Sequence, residues 1–462
     1  VSAISAAPTF TYTPYLTEGR ILITLTADDS PRNLPLTYSV VDAPTLGGKL
    51  DLYVDQVKPG TWHYTLLPDW TVVKDLGKTY FGVRVAETSA LETFLENIPL
   101  VCGWCVSAAF TTLQDVPILN QLLGPVIGYS TTATLEVDVG QLMEDAAAKA
   151  PGSVAKDVPV AFTTMVTSFD GVEISTNYLP GEDLGAGQHA PTVMAGNFWG
   201  APGFITVEDR GTYGVNIPFD FNMVSWDFRG TYASGATGLL NLLFGGGKSQ
   251  GMNPNYEGKD IQYILGWLYD RKMEGNLPSF GLAGEEFKGD PNKKVCPTAS
   301  QGSTCVGMSG YSAGGAAQWA ATSIDTDSSI RMIAPTASWY SFDETAYPDE
   351  AFRTDWVNAL AILGLLFQPV TEPSQTRPSS EADQFPVKGW PSKVNNQVWN
   401  ATLTGNLFSW LSQASQDYLN GSNSNSDKVT VPALITNSTT DNLTTLSNST
   451  LNADTIKNND KT

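Results

Sequence analysis

The stretch Val306-Gly-Met-Ser-Gly-Tyr-Ser-Ala-Gly-Gly315 decides the fold of this chain. A short apolar run, Val306–Met308, precedes Gly310-Tyr-Ser-Ala-Gly314, and an alanine-rich run follows. The first run predicts a strand and the second a helix, so Ser312 falls at a tight turn between them. Small residues beside Ser312 let strand and helix approach closely. We therefore expect a strand–turn–helix unit that presents the hydroxyl of Ser312.

The pentapeptide fits G-x-S-x-G, the pattern of a nucleophile at a strained turn. Ser312 is therefore the candidate nucleophile, and the backbone N–H of Ala313 would point at a developing oxyanion. A second N–H is expected near Asn197 or Phe198, in the glycine-rich segment after a predicted strand. That segment also fits a simple glycine-rich turn. At residue 312 the alternative to a nucleophile is a Gly-Ser turn with a purely structural role.

Beyond residue 160 the pattern alternates between strands and helices, which indicates a mostly parallel sheet with helices on both faces. The predicted helices are Gly258–Lys272 and Gly314–Ser323. The predicted strands are Ala161–Thr167, Val172–Tyr178, Thr192–Ala195, Asn222–Trp226, Val306–Met308, Met332–Ala334 and Val431–Thr436.

The first 150 residues have a different pattern, with short alternating runs separated by turn residues. Such runs predict an immunoglobulin-like β-sandwich, here with a small helical insertion. We place this domain at residues 1–150 and the α/β domain at 151–462, with a helical lid over residues 340–425. Trp62 and Tyr64 alternate on one predicted strand, where they are either core residues or part of a carbohydrate-binding face.

Composition excludes several classes of function. A formal net charge of −21 disfavours nucleic-acid binding. No apolar run reaches the ~20 residues of a membrane span. With two histidines and four cysteines, we expect no metal or other cofactor. The pairs Cys102/Cys105 and Cys296/Cys305 predict two short-range disulfides, which indicate an oxidising compartment.

The remaining catalytic groups are harder to place. Asp441 follows the last predicted strand, where the acid of such an enzyme is expected; a solvated loop aspartate is the alternative. No histidine follows Ser312, and His63 and His189 are expected to be structural or solvated. Two explanations stay open: the chain stops before its eighth strand and its histidine, or catalysis has been lost.

Two further patterns have plain interpretations. The segment Gly245-Gly-Gly-Lys-Ser249 resembles a phosphate loop, but Leu242 stands where the motif needs its first glycine, so an ordinary loop is expected. The polar tail is rich in asparagine, serine and threonine. Asn-x-Ser/Thr sequons, which low complexity explains as well as glycosylation does, begin at Asn400, Asn420, Asn437, Asn442 and Asn448.

Four stretches together resemble one known family. They are Thr167–Pro180, Val224-Ser-Trp-Asp-Phe-Arg-Gly230, Ile264–Leu268 and Val306–Gly315. The chain is similar to α/β-hydrolases of the X-Pro dipeptidyl-peptidase/cocaine-esterase type. Its closest resemblance is to secreted actinobacterial, mycobacterial-type hydrolases with an immunoglobulin- or cadherin-like N-terminal module. Family members have Tyr-Gly-Gly after the serine, where this chain has Ala-Gly-Gly, and a histidine after the last strand.

The resemblance implies an α/β-hydrolase fold with Ser312 as nucleophile and Asp441 as acid. The leading hypothesis is a secreted or cell-envelope serine hydrolase that acts on a small acyl or peptide-like substrate. The rival is a non-catalytic envelope or assembly protein that uses a hydrolase scaffold and binds a protein partner through its N-terminal sandwich.

Overall fold

The fold is seen in a computed structural model of the chain. It describes residues 10–17, 20–27, 36–42, 51–58, 61–67, 78–87, 89–92, 123, 125–148, 158–159, 161–199, 203, 217–231, 234, 248–341, 345, 423–441 and 443–459. The backbone forms two compact units, and the division falls between Ala146 and Ala147. The predicted lid falls mostly outside the described residues, as does most of the segment from Leu91 to Tyr129 that holds the predicted insertion.

The first unit contains two antiparallel sheets. Four strands pair in the order β1-β2-β5-β4, and three pair in the order β3-β6-β7. The strands are β1 (Phe10–Thr17), β2 (Arg20–Ala27), β3 (Leu36–Asp42), β4 (Asp51–Lys58), β5 (Thr61–Leu67), β6 (Lys78–Glu87) and β7 (Ser130–Asp138). Helix α1 (Val139–Ala148) follows directly. These strands agree with the short alternating runs that the sequence predicts, and the immunoglobulin-like sandwich stays a prediction.

The second unit is built on one six-stranded mixed sheet. Its strands are β8 (Phe162–Thr167), β9 (Glu173–Leu179), β10 (Thr192–Gly196), β11 (Asn222–Trp226), β14 (Val306–Tyr311) and β15 (Ile330–Thr336). They pair in the order β15-β14-β10-β11-β9-β8, with β9 antiparallel to both of its neighbours. Residues 431–436 extend the sheet beyond β15, where Ala433 and Thr436 form parallel bridges to Ile333 and Thr336.

Three helices of this unit matter for the site. Helix α2 (Lys259–Met273) continues from a π-helical turn at Pro254–Gly258. Helix α3 (Ala313–Thr322) leaves β14, and helix α4 (Leu446–Asn459) lies near the end of the chain. Between α2 and β14 a short hairpin forms from β12 (Glu286–Phe287) and β13 (Asp290–Lys294), which the sequence pattern did not predict. None of the described helices is long and apolar enough to cross a membrane.

The core of the second unit forms where apolar side chains cover the sheet. Trp226 and Trp319 are almost completely buried there. The rings of Phe162 and Tyr178 stack with centroids 5.4 Å apart across the β8–β9 pair. Helix α3 is buried on all sides, which explains why it is rich in alanine and glycine and carries no charge. Because Ser312 immediately precedes α3, the turn at Ser312 rests on this buried helix.

Candidate active site

Ser312 stands at the turn between β14 and α3, as the sequence predicted. Its backbone has φ 54° and ψ −114°, a conformation that L-residues rarely adopt and that costs about 1–3 kcal/mol. Two backbone hydrogen bonds hold it: its N–H donates to the carbonyl of Thr336 at 2.9 Å, and its carbonyl accepts from Ala316 at 2.9 Å. The residue is half-buried, so its hydroxyl is held at a strained, partly open turn. This is the geometry of a nucleophile elbow.

The glycines of the motif are required by close backbone packing. A Cβ on Gly310 would lie 2.5 Å from the carbonyl oxygen of Gly196, and a Cβ on Gly314 would lie 1.9 Å from the same atom. Gly196 ends β10 and pairs with Gly310 in register. The segment after β10 therefore crosses directly over the first turn of α3. The sequence prediction that this segment lies beside the elbow agrees with these distances.

The start of α3 presents free N–H groups. Because the first intrahelical bond runs from Ala316 to Ser312, the N–H groups of Ala313, Gly314 and Gly315 have no helical acceptor. Among the described residues, no other group accepts from them. The positive end of the helix dipole adds to their attraction for negative charge. Ala313 can therefore donate to an oxygen bound above Ser312.

The second predicted donor is occupied. The N–H of Phe198 donates to the side-chain oxygen of Asn197 at 2.8 Å, and Asn197 is 6% exposed. The structure thus places Asn197 and Phe198 beside the elbow with one backbone N–H already satisfied. The sequence could not predict this contact because an asparagine side chain can turn in several directions.

Buried polar contacts fix α3 against the sheet. The side-chain amide of Gln318 donates to the carbonyl of Gly314 at 3.1 Å and accepts from the N–H of Ala334 at 2.8 Å. The indole N–H of Trp319 donates to Ser338 at 2.9 Å. Since the bonds to Ala334 and Ser338 join α3 to β15 and the segment after it, the turn at Ser312 sits on a rigid support.

Asp441 lies at the same end of the sheet as Ser312. It follows residues 431–436, and the hydroxyls of Thr336 and Thr436 meet at 2.7 Å at that edge. Burial, with a further contribution from the charge of Asp441, raises the pKa of Tyr311, the neighbour of Ser312. The two predicted catalytic residues are therefore brought to one region.

The carboxylate of Asp441 is held by its own loop. One oxygen accepts the N–H groups of Leu443 and Thr444 at 2.9 and 3.0 Å, and the other accepts the hydroxyl of Thr444 at 2.8 Å. The second oxygen keeps a lone pair with which it could orient a base.

His189 lies at the opposite end of the sheet. It stands seven residues before Gly196, which is more than ~20 Å along an extended chain. Its Nδ1 lies 2.7 Å from the carbonyl of Pro278 and 3.1 Å from Lys272 Nζ. Its predicted structural or solvated role stays a prediction. His63 lies in β5 of the first unit, so no histidine in the described part of the second unit stands beside Ser312.

The structure also bears on the predicted disulfides and on the segment that resembles a phosphate loop. Cys296 and Cys305 form a disulfide, whereas Cys102 and Cys105 lie outside the described residues. Of the segment that resembled a phosphate loop, Lys248 and Ser249 are described. The hydroxyl of the buried Ser249 donates to the carboxylate of Glu257 at 3.0 Å, so an internal carboxylate takes the donor that a bound group would need.

A network of buried ion pairs lies beside the carboxyl end of β11. The guanidinium of Arg229 donates two bonds to Asp260, at 2.6 and 2.8 Å, and two to Asp170, at 2.9 and 3.4 Å. Ser168 donates to Asp260 at 2.5 Å. This network joins the β8–β9 turn, the segment after β11 and the start of α2. Arg229 stands in one of the family-like sequence stretches, but nothing in the sequence pattern indicated its partners.

The described part of the chain contains no group of three or more histidine, cysteine or acidic side chains placed to hold a metal ion.

A family model described as X-Pro dipeptidyl-peptidase (S15 family) matches residues 170–460, well over half of the chain. The chain belongs to the X-Pro dipeptidyl-peptidase (S15) family. It is therefore a member of a serine hydrolase family, and its mixed sheet and elbow have the α/β-hydrolase fold.

Solved structures give weaker likenesses to this S15 chain. Porphyromonas gingivalis dipeptidyl peptidase 4 is 12% identical, with TM-score 0.34, over 65% of this chain and 30% of that one. Acetyl xylan esterase from Paenibacillus sp. R4 is 13% identical, with TM-score 0.35, over 68% and 83%. Pyrococcus horikoshii acylaminoacyl peptidase is 10% identical, with TM-score 0.35, over 97% and 57%. The chain thus spans less than two thirds of either peptidase. No curated protein matches it.

Proposed function

We propose that this S15-family chain is a serine hydrolase that cleaves an ester or amide bond through an acyl-enzyme on Ser312. The observation that carries the proposal is the strained, partly open backbone of Ser312 above the free N–H groups of α3. A serine held this way approaches a carbonyl carbon while the N–H of Ala313 stabilises the negative oxygen. The family description supports small acyl or peptide-like substrates.

The proposed reaction has two steps. The oxygen of Ser312 bonds to the substrate's carbonyl carbon, its proton passes to a base, and the leaving alcohol or amine departs with a proton. Water then releases the acid and restores the serine. Asp441 orients and stabilises the base, through the carboxylate oxygen that, among the described residues, accepts only the hydroxyl of Thr444.

The described residues place no general base beside Ser312. Imidazole added to the solution can therefore serve as a stand-in for the histidine that such enzymes use. We expect hydrolysis of 4-nitrophenyl acetate to rise with imidazole in the wild type beyond the rise in Ser312→Ala. Asp441→Asn should weaken this imidazole effect at least tenfold. Ser323→Ala, at the far end of α3, is the matched control.

The second candidate function is a non-catalytic protein that uses the hydrolase body as a scaffold at the cell envelope. The position of His189, at the wrong end of the sheet for Ser312, favours it. Equal hydrolysis by the wild type and by Ser312→Ala, with and without imidazole, would support the scaffold and overturn the enzyme.

An extracytoplasmic location also belongs to the proposal. The Cys296–Cys305 disulfide supports it, because such bonds persist mainly in oxidising compartments. The immunoglobulin-like arrangement of the first unit, with an envelope or protein partner bound there, is proposed on the predicted sandwich. Fractionation of the producing cells would test the location.

A further inference from the structure

A cavity of about 320 Å³ lies where the segment before β10 meets the β12–β13 hairpin, at the end of the sheet opposite Ser312. Its walls include two carboxylates, one imidazole and three glycines: Glu285, Glu286, His189, Gly187, Gly284 and Gly289. The three glycines have φ of 71°, 85° and 73°, a conformation that favours glycine, so no side chain fills the space at these positions. Because one water molecule takes up about 30 Å³, the cavity has room for a small organic molecule.

The imidazole of His189 has one bonded nitrogen and one open nitrogen. Its Nδ1 lies 2.7 Å from the carbonyl oxygen of Pro278. A carbonyl oxygen only accepts, so a contact this short requires the proton of the neutral ring to be on Nδ1. Nε2 is then a bare acceptor, and it makes no hydrogen bond with the described residues. Since Pro278 does not line the cavity, the edge of the ring that carries Nε2 is the one on the cavity side.

The carboxylate of Glu285 is divided in the same way. Its Oε2 accepts the N–H of Leu282 at 2.7 Å and the ammonium of Lys272 at 3.1 Å, and neither of these residues lines the cavity. Its Oε1 lies 3.9 Å from Nε2 of His189, which is too far for a hydrogen bond. Two acceptors therefore stand side by side at the cavity, and neither has a proton to give to the other.

We propose that this cavity binds a small molecule through a primary ammonium group that donates to Nε2 of His189 and to Oε1 of Glu285. A group bound there must bring donors, because both open atoms are acceptors. One nitrogen placed between atoms 3.9 Å apart can lie within about 2.9 Å of both. A positive charge suits the site, since the lining carries two carboxylates and no cation, and charge-assisted bonds are roughly twice as strong as neutral ones.

The same two side chains already hold one ammonium on their other side. Nζ of Lys272 lies 3.1 Å from Oε2 of Glu285, 3.1 Å from Nδ1 of His189 and 3.4 Å from the carbonyl oxygen of Pro278. The open atoms thus repeat, toward the cavity, a kind of contact that the protein makes internally. A metal ion fits less well, because the described residues offer no group of three side chains that could hold one.

The chain has only two histidines, so the ring of His189 can be observed directly. We would label the full chain with ¹⁵N-histidine, record long-range ¹H–¹⁵N spectra at pH 8, and assign the two rings with His63→Phe. The free protein should show His189 protonated on Nδ1 and bare on Nε2. Titration with n-butylammonium chloride should shift the Nε2 resonance to saturation. Tetramethylammonium chloride, which has the same charge and no N–H, should leave it unchanged.

Three results of this titration would overturn the proposal. They are a ring protonated on Nε2, saturation by zinc chloride without saturation by n-butylammonium, and no saturable shift with either probe. The second result would indicate a metal site, and the third a cavity that holds only water. None of these measurements uses Ser312 or hydrolysis, so their outcome is independent of the proposed function.

Substitutions test the two contacts through the affinity for n-butylammonium, measured by ligand-observed saturation-transfer spectra. Glu285→Gln should weaken binding by about tenfold or more, because a charge-assisted bond becomes a neutral one. Asp454→Asn, which removes the same charge from an exposed position on α4, should leave the affinity unchanged. Wild-type affinity in Glu285→Gln would overturn the proposal.

Two replacements of His189 distinguish the open nitrogen from the bonded one. Asparagine places its amide nitrogen where Nδ1 stands and has no atom at Nε2, so His189→Asn should weaken binding by about two- to tenfold. Glutamine places an amide oxygen at the position of Nε2, so His189→Gln should keep the wild-type affinity to within about twofold. Equal losses in these two variants, with both folded by melting curves, would show that the acceptor at Nε2 does not hold the ammonium.

Discussion

Replacement of Gly314 by alanine tests whether close packing of backbone against backbone holds the elbow. The added Cβ would lie 1.9 Å from the carbonyl oxygen of Gly196 and 2.3 Å from its carbon. Both atoms belong to the backbone, so no side chain can turn away, and α3 must separate from β10 by about 1 Å. Overpacking of a rigid site costs about 3 kcal/mol. Gly266→Ala is the matched control, because Gly266 also lies inside a helix but has nothing within 4 Å of an added Cβ.

The two variants should therefore shift stability in opposite directions. Gly266→Ala should stabilise by up to about 1 kcal/mol, the helix-propensity difference between the two residues. In melting curves followed by tryptophan fluorescence, this is a rise of roughly 2–4 °C, against a fall of roughly 6–12 °C for Gly314→Ala. A Gly314→Ala transition within about 2 °C of the wild type would refute the packing argument.

Four further outcomes are expected. Ser312→Gly should be about 1 kcal/mol more stable than Ser312→Ala in urea unfolding, because glycine adopts φ 54° without strain; equal stabilities would contradict the strained turn. Arg229→Met should lower stability by about 3–5 kcal/mol in the same assay, since it leaves two carboxylates unpaired; a loss under 1 kcal/mol would count against the network. Burial raises the pKa of Glu257 above its ordinary value of 4.5, so the folded state takes up that proton more readily, and the stability of the wild type relative to Glu257→Gln should fall as pH rises from 4 to 7; a rise would refute this direction. Asn448 is 1% exposed and accepts the N–H of Tyr340 at 2.8 Å, so its sequon should carry no glycan in a glycosylating host by intact mass, and Asn448→Ala should lower the melting temperature.

The elbow was predictable because its signal is local. Strand, glycines, serine and helix follow one another between residues 306 and 322, and the turn needs small residues at fixed positions. The same holds for the strands of the second unit, whose apolar runs gave correct positions to within a few residues. The sandwich arrangement of the first unit stays a prediction.

The ion network could not be predicted because its partners are distant in sequence. Arg229 lies 31 residues from Asp260 and 59 from Asp170. No periodicity links such positions, and charged residues are normally expected on the surface. Only the folded chain brings the β8–β9 turn to the start of α2.

Helix α4, in the polar tail, was not predicted from the sequence for a different reason. Hydrophobic periodicity detects helices that bury apolar faces, but α4 docks through asparagines. Asn448, Asn452 and Asn459 recur at helical spacing on one face and bond to backbone groups of the neighbouring segments. That spacing was visible in the sequence and is the signal that could have found the helix.

The proposed hydrolase function depends on a reactive hydroxyl at Ser312. Peptide mapping of the intact chain after treatment with a fluorophosphonate and imidazole measures it at the residue itself. We expect one phosphonyl adduct, on the hydroxyl of Ser312, and none in Ser312→Ala. An adduct on a different residue, or equal adduct formation by the two proteins, would show that the elbow does not make Ser312 reactive.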